Sequence, residues 1–134
     1  MLPWYQNSLM ALDLETTGLD PLDDRIVQVA ILEVAADGMI SADSWDGIVD
    51  PGVEIPTGAS DVHGISTEQA RAEGVQPAEA LRRIANLIDG AARAGTPLVI
   101  YNAPFDWPFV LAEAQRHDVT LLPEGIPVDI IDPL

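Results

Sequence analysis

The feature that most constrains this chain is a series of three strand-like segments near its start, separated by short turns. Residues 8–15 alternate between the two faces of a predicted strand. Residues 25–34 are almost continuously apolar, which is typical of a strand covered on both faces. Asp37-Gly38 predicts a hairpin turn, after which residues 40–49 return as a third strand. The opening is therefore predicted to be an antiparallel three-stranded meander.

Helical and strand patterns alternate in the remainder of the chain. Residues 55–65 are rich in loop formers, and beyond them a buried helical stripe recurs at i, i+3, i+4 and i+7. The predicted elements are a short helix capped by Ser66 or Thr67 and running to Ala72, a helix from Pro77 to Gly90 or Gly95 whose stripe is Leu81, Ile84, Ala85 and Ile88, a strand at 98–101, a helix at 109–117 and a last short strand at 128–131. This order predicts an α/β fold, with helices packed on a mixed sheet.

Composition excludes several classes of function. The chain has 134 residues with a net charge of −16, whereas a protein that coats a nucleic-acid duplex should be basic. The functional interpretation is a cation-dependent site that handles a few nucleotides at a strand end, and the alternative is an acidic surface that serves solubility. No cysteine is present, so disulfides and thiolate metal sites are excluded. No run approaches the roughly 18 apolar residues of a membrane span, and we expect a cytoplasmic protein.

Two acidic residues stand on the first predicted strand. Asp13 and Glu15 are two positions apart, so both carboxylates project from one face. Burying such a pair is costly unless a hard divalent cation with oxygen ligands compensates. The alternative is a solvated strand end. Thr16-Thr17-Gly18 follows directly, and a glycine there permits close backbone approach or a positive φ.

Three short strings follow one another along the chain. Residues 13–18 read Asp-Leu-Glu-Thr-Thr-Gly, residues 62–65 read Val-His-Gly-Ile, and residues 102–106 read Asn-Ala-Pro-Phe-Asp directly after a predicted strand. In the same order they resemble the D-x-E-T-T-G motif, the V-H-G-I segment and the N-x-x-F-D motif of the DEDD superfamily of 3′→5′ exonucleases, which includes the proofreading subunit of bacterial DNA polymerase III. The likeness extends from about residue 9 to residue 134.

This resemblance implies a ribonuclease H-like fold and a two-metal mechanism that uses Mg²⁺ or Mn²⁺. In such sites two ions about 3.5–4 Å apart clamp the attacking and leaving oxygens of a phosphate displacement. Carried over by position, Asp13 would bridge both metals, Glu15 would bind the metal that activates water, and Asp106 would serve the second metal. These three residues are the expected catalytic and metal-binding set.

The resemblance also implies a set of substrate contacts. Thr16 and the backbone around Thr17 would hold the sugar of the terminal nucleotide, and Gly18 belongs to the same substrate-binding set. Asn102 would contact the substrate backbone near the cut, and Phe105 would act as a core or wedge residue.

The two histidines are expected to differ in role. The resemblance places His63 near the mouth of the site against the terminal base, and the alternative is a loop histidine hydrogen-bonded to backbone. His117 lies near the C-terminus of a predicted helix, where capping or interaction with the helix dipole is expected rather than catalysis.

The chain departs from the superfamily pattern near its end. The third motif, H-x-A-x-x-D, carries the general base and the fourth acid, and it is missing after Asp106. We expect Asp129 and Asp132 to act as strand-end or helix-capping acids and not as substitutes. Residues 1–134 are therefore expected to be the N-terminal and central part of an exonuclease domain, C-terminally incomplete and weakly active or inactive alone. Pro108 adds a local conflict: the last helix should begin nearer Asp106 or be kinked.

The expected function is removal of nucleotides from the 3′ end of DNA in proofreading or repair, on single-stranded or frayed ends. A DNA polymerase or helicase is the expected partner, and no membrane is involved. Two alternatives remain: an RNA-trimming exoribonuclease of the same fold, and a non-catalytic module attached to a polymerase or helicase.

Overall fold

A computed structural model describes residues 7–122 and 126–134, which form one five-stranded sheet with four helices among these residues. The strands are β1 (Leu9–Thr16), β2 (Ile26–Val34), β3 (Trp45–Ile48), β4 (Leu98–Val99) and β5 (Ile130–Ile131). The helices are α1 (Thr57–His63), α2 (Thr67–Glu73), α3 (Pro77–Ala94) and α4 (Ala103–Arg116). The strand order is β3-β2-β1-β4-β5.

The predicted meander is confirmed: β1 pairs antiparallel with β2, and β2 pairs antiparallel with β3. Strands β4 and β5 then extend the sheet in parallel with β1. This mixed sheet with its flanking helices is the ribonuclease H-like fold that the resemblance implied.

The third strand is shorter than predicted. Instead of a continuous strand at 40–49, the chain makes an isolated bridge at Ile40, turns, and resumes pairing at Trp45–Ile48. The Ser44 hydroxyl accepts the Glu33 amide at 2.9 Å, and the Ser44 amide bonds to the Ser41 carbonyl at 3.1 Å. A serine side chain thus occupies a ladder position that a backbone carbonyl would fill in a regular strand.

Helix α3 buries the predicted stripe. Leu81, Ile84, Ala85 and Ile88 are all buried, and three of them pack into the main core with the apolar residues of β1 and β2. Pro77 stands at the first helical position as predicted, and Gly95 ends the helix in the left-handed conformation with φ 72°. The stripe therefore fixes this helix against one face of the sheet.

Of the two short helices, α1 differs from prediction and α2 agrees with it. Helix α1 lies in a segment predicted to be loop, and it has no buried residue and no side-chain cap to signal it. Helix α2 begins as predicted, because the Ser66 hydroxyl accepts the Gln69 amide at 3.1 Å. Among the described residues no helix is both long and apolar enough to cross a membrane.

Helix α4 begins at Ala103, six residues before the predicted start at 109, and continues through Pro108. The expectation that this helix starts nearer Asp106 is therefore wrong, and the alternative of a kink stays a prediction. Pro108 has no N–H to donate to the carbonyl four residues earlier, so the first turns need support from elsewhere in the molecule.

Candidate active site

The site is built where β4 stops while β1 continues. The Met10 amide bonds to the Pro97 carbonyl at 2.9 Å, so alternate amides of β1 point towards β4. Strand β4 ends at Val99, opposite Ala11. The Leu14 amide, four residues after Met10, therefore points past the end of β4, and it donates to Asp13 Oδ1 at 3.0 Å. The Leu14 amide is therefore a hydrogen-bond donor among carboxylates near the C-terminal end of β1, beyond the end of β4.

Asp106 reaches the same place from the first turns of α4. Its side chain is buried, and its pKa is raised from 3.8 to about 6, first by burial and then by the negative charge of Asp13. Glu15 raises this pKa further, while the backbone amide of Leu14 lowers it. Asp106 thus interacts electrostatically with both strand carboxylates, although about ninety residues separate it from them in sequence.

The three predicted ligands differ in exposure. Asp13 is exposed, Glu15 is half-buried and Asp106 is buried. Within residues 7–122 and 126–134, no three acidic or imidazole side chains are close enough together to form a ready-made metal site. The chemistry of the donors nevertheless fits a hard divalent cation, since all are carboxylates. The raised pKa of Asp106 reflects burial first and then repulsion by the charges of Asp13 and Glu15, and a bound cation would relieve both.

A cavity of about 410 Å³ opens beside Glu15. Glu15, Thr16, Gly18, His63 and Phe105 all line it, together with Thr17. The structure therefore brings five of the six predicted substrate-binding residues to one cavity that also contains Glu15.

Phe105 has a place both in this cavity and in the core. Its ring lies 5.2 Å from the ring of Phe109 at an angle of 53°, and Phe109 is completely buried. The packing on Phe109 anchors the ring that forms one wall of the cavity.

Thr17 serves the loop that follows β1. Its amide bonds to the Arg25 carbonyl at 2.8 Å, and its hydroxyl contacts Asp24 Oδ1 at 3.2 Å and accepts the Arg25 amide at 2.9 Å. The amide and hydroxyl of Thr17 are thus engaged within the protein, and the expectation that the backbone around Thr17 holds a sugar stays a prediction. The neighbouring Thr16 hydroxyl donates to the Gly18 carbonyl at 2.7 Å.

Gly18 is required by close approach and not by a positive φ. A Cβ at this position would lie 2.4 Å from Asp24 Oδ2. The same Asp24 oxygen accepts the Asp20 amide at 2.9 Å, so one carboxylate holds both sides of the loop.

His63 is the last residue of α1 and not a loop residue. Its expected hydrogen bond to backbone is confirmed, because its Nδ1 accepts the Ile65 amide at 3.1 Å. Its ring also lines the cavity, and its buried Nε2 has no hydrogen-bond partner in the described part of the chain. Because Nδ1 is an acceptor, the neutral ring carries its proton on Nε2 and offers a donor.

His117 is the C-cap residue of α4, so the expected position at a helix end is confirmed. Burial and the positive charge of Arg116 lower its pKa, so the imidazole is neutral near pH 7. A charge–dipole interaction is therefore not the role of this residue.

An internal ion pair ties α4 to the loop after β1. Glu113 is completely buried and pairs with Arg116, whose Nη2 donates to the Leu22 carbonyl at 3.0 Å. The guanidinium thus bridges a buried acid and the loop that follows residues 16–18.

Asn102 is the N-cap residue of α4 and has φ 60°, with no side-chain capping bond. Its amide and that of Ala103 donate to Asp132 at 3.0 and 2.9 Å. The expected capping role of Asp132 is confirmed by these bonds.

Sequence reasoning missed several residues around the site. Leu19 and Val62 line the cavity yet are 83% and 82% exposed, which gives its mouth an apolar rim. Asp24 and Arg116 both form hydrogen bonds that hold the loop after β1, Asp24 to the Asp20 amide and Arg116 to the Leu22 carbonyl. The only signal for the exposed pair is their position beside the two motifs, Leu19 after Gly18 and Val62 before His63.

Comparison with known proteins agrees with this geometry. The profile of the exonuclease family RNase_T matches residues 10–131. The chain belongs to this exonuclease family. It is thereby a member of the DEDD superfamily, as the three motifs implied.

Two relatives illustrate the family's range. The chain is 38% identical over 109 residues to a DNA polymerase III subunit epsilon-like protein of Rhodobacter capsulatus, covering 81% of this chain and 15% of the relative. It is 27% identical over 123 residues to the PolC-type DNA polymerase III of Streptococcus agalactiae serotype III, covering 91% of this chain and 8% of the relative. The chain therefore spans a small part of the curated relatives it matches.

The fold is shared with a solved exonuclease. Exonuclease I of E. coli, solved in complex with a dT13 oligonucleotide, superposes with a TM-score of 0.80 at 23% identity. The match covers 95% of this chain and 28% of that chain. This likeness establishes the ribonuclease H-like fold of the exonuclease domain.

Proposed function

We propose that this domain is the N-terminal and central part of a metal-dependent exonuclease that removes nucleotides from the 3′ end of DNA. The observation that carries the proposal is the raised pKa of the buried Asp106 beside Asp13 and Glu15. A carboxylate in this position is costly to ionise near neutral pH unless a cation neutralises the cluster. Proofreading or repair in the cytoplasm, in association with a DNA polymerase or helicase, is the setting we propose.

The proposed ligands are Asp13, Glu15 and Asp106. A divalent cation held there, Mg²⁺ or Mn²⁺, would stabilise the negative charge that develops on the phosphate and lower the pKa of water. The protein's own contribution is to hold these carboxylates at the open edge of the sheet, where the Leu14 amide limits their repulsion.

The cavity beside Glu15 is the proposed site of the terminal nucleotide. Its volume of about 410 Å³ and its wall of Phe105 suit a nucleobase, which would stack on the ring. The Nε2–H of His63 would donate a hydrogen bond to that nucleotide. The apolar rim of Leu19 and Val62 favours an unpaired base over a stacked pair, which supports single-stranded or frayed ends as the substrate.

The experiment is a digestion of matched DNA and RNA oligonucleotides by the full chain, at high protein concentration with Mn²⁺. Labels at the 5′ or 3′ end distinguish the direction of shortening. We expect slow, Mn²⁺-dependent shortening of DNA from the 3′ end, abolished by Asp13→Ala. Asp37→Asn is the matched control, because it removes an acid on the exposed turn between β2 and β3.

Three results would contradict the proposal. If Asp13→Ala were as active as the wild type, Asp13 would have no part in the mechanism. Preferential shortening of RNA would establish the exoribonuclease alternative. An absence of shortening, combined with an absence of Mn²⁺ binding at Asp13, would establish the non-catalytic alternative.

A further inference from the structure

The hydrogen bonds between β4 and β5 continue beyond the strands through a side chain. The Leu98 amide bonds to the Asp129 carbonyl at 2.8 Å, and the Ile100 amide bonds to the Ile131 carbonyl at 3.0 Å. The next amide in this series, that of Asn102, bonds instead to Asp132 Oδ1 at 3.0 Å. The carboxylate of Asp132 thus takes the place of a strand carbonyl at the point where the chain turns into α4.

This carboxylate satisfies the first amides of α4. Ala103, the first helical residue, donates to Asp132 Oδ2 at 2.9 Å. Pro104, the second, has no N–H, and the Phe105 amide bonds to the Asn102 carbonyl at 2.9 Å. Asn102 makes no side-chain cap, so Asp132 supplies from outside the helix the acceptor that an N-cap side chain usually provides.

The helix start that Asp132 holds is one that local forces do not favour. Asn102 has φ 60°, a conformation that few non-glycine residues adopt and that asparagine tolerates best, so it departs from the helical φ of the residues that follow. Pro108 removes one hydrogen bond from the second turn. Asp106 lies between these two points, and its carboxylate must reach the Leu14 amide and the charge of Asp13.

We infer that Asp132 is a positioning residue for the metal site: by fixing the start of α4 to the end of β5, it sets the position of Asp106 beside Asp13. The inference rests on the proposed function, because it assigns Asp132 a role in that same site. Asp132 is held as an anion, since the amides of Leu134, Asn102 and Ala103 all lower its pKa. A carboxylate is the appropriate group, because it accepts several amides at once and opposes the positive end of the helix dipole.

The test compares Asp132→Ala with Asp132→Asn and with the matched control Asp129→Asn. Asn keeps one acceptor oxygen and replaces the other with a donor, so it should retain part of the function. Asp129 is three residues away, and its described contact is through its backbone carbonyl, so the control changes charge without removing the helix anchor. The measurements on the full chain are Mn²⁺ affinity by calorimetry and hydrogen exchange at the amides of Asn102 and Ala103.

We expect Asp132→Ala to weaken Mn²⁺ binding by about 10–100-fold, the usual effect of removing a group that orients a ligand. Asp132→Asn should have a smaller effect, and Asp129→Asn should match the wild type. Exchange at the two amides should speed up in the same order. A urea unfolding curve on each variant shows whether the fold persists.

Two outcomes separate this inference from the proposed function. If Asp13→Asn abolishes Mn²⁺ binding while Asp132→Ala leaves it unchanged, Asp132 is only a structural cap and the inference is wrong. If Asp13→Asn has no effect on Mn²⁺ binding, the proposed metal site itself is wrong.

Discussion

The carboxylate of Asp106 lies close enough to that of Asp13 for the negative charge of Asp13 to raise its pKa. One residue comes from a central strand and the other from a helix that begins beyond the end of the neighbouring strand. The backbone amide of Leu14 stabilises both carboxylates, through a bond of 3.0 Å to Asp13 and by lowering the pKa of Asp106. The two carboxylates therefore concentrate negative charge near the C-terminal end of β1, beyond the end of β4.

Replacing Asp106 with asparagine should stabilise the protein more at pH 7 than at pH 4. The folded pKa of about 6 exceeds the ordinary 3.8, so the folded state holds the proton more tightly than the unfolded chain. Stability is therefore lost as the pH rises from about 4 to about 6, by an amount on the order of 3 kcal/mol. Asparagine removes this loss because it carries no charge.

Urea unfolding of the wild type and Asp106→Asn at both pH values, with chelator present, measures this difference. Asp37→Asn is the control, because it removes one acid from an exposed turn away from Asp106. An Asp106→Asn effect that is independent of pH would contradict the raised pKa.

Removing Arg116 should destabilise the protein strongly, because Glu113 would remain buried without its ion partner. Breaking one side of a buried pair typically costs about 3–5 kcal/mol. We expect Arg116→Met to lower the free energy of unfolding by an amount in this range. The double variant Glu113→Gln with Arg116→Met should recover most of the loss, since it removes the uncompensated charge.

Thermal or urea unfolding of the two single variants and the double variant completes this cycle. Equal losses in Arg116→Met and in the double variant would show that the charge of Glu113 is not the cause. The residual loss in the double variant includes the bond of 3.0 Å from Arg116 to the Leu22 carbonyl.

Gly18→Ala should destabilise the loop after β1. Its Cβ would lie 2.4 Å from Asp24 Oδ2, so the carboxylate that bonds to Thr17 and Asp20 must move. We expect a loss of about 1–3 kcal/mol, the usual cost of forcing an extra methyl group into a packed place. Gly58→Ala is the matched control, because open space surrounds Gly58 within α1 and alanine favours a helix.

Unfolding curves of the two glycine variants provide the measurement. The control should equal or exceed the wild type in stability. A Gly18→Ala variant as stable as Gly58→Ala would mean that Asp24 does not hold the loop.

The parts of the fold that follow from local pattern were predictable. The alternation of residues 8–15 placed Asp13 and Glu15 on one strand, because side-chain direction in a strand has a period of two. The buried stripe of α3 and the Ser66 cap of α2 could likewise be predicted, because each depends only on residues that are close together in the sequence. The fold class followed once these elements were in order.

The parts that depend on distant contacts were not predictable. The third strand breaks because the hydroxyl of Ser44 bonds to the amide of Glu33 on another strand. Helix α4 starts early because Asp132, about thirty residues later, holds its first amides. The hydroxyl of Thr17 is hydrogen-bonded to Asp24, and no periodic pattern in the sequence predicts that contact.

The most direct test of the central claim is a map of Mn²⁺-induced broadening of backbone amide resonances in the full chain. Paramagnetic broadening locates even a weak cation site, and in a chain of net charge −16 it separates this site from binding elsewhere on the acidic surface. If Asp13, Glu15 and Asp106 share a cation, the amides around Leu14 and Asp106 should broaden first, and Asp106→Asn should suppress this while Asp37→Asn leaves it intact. Broadening that begins elsewhere on the acidic surface, and that is the same in Asp106→Asn, would contradict the account.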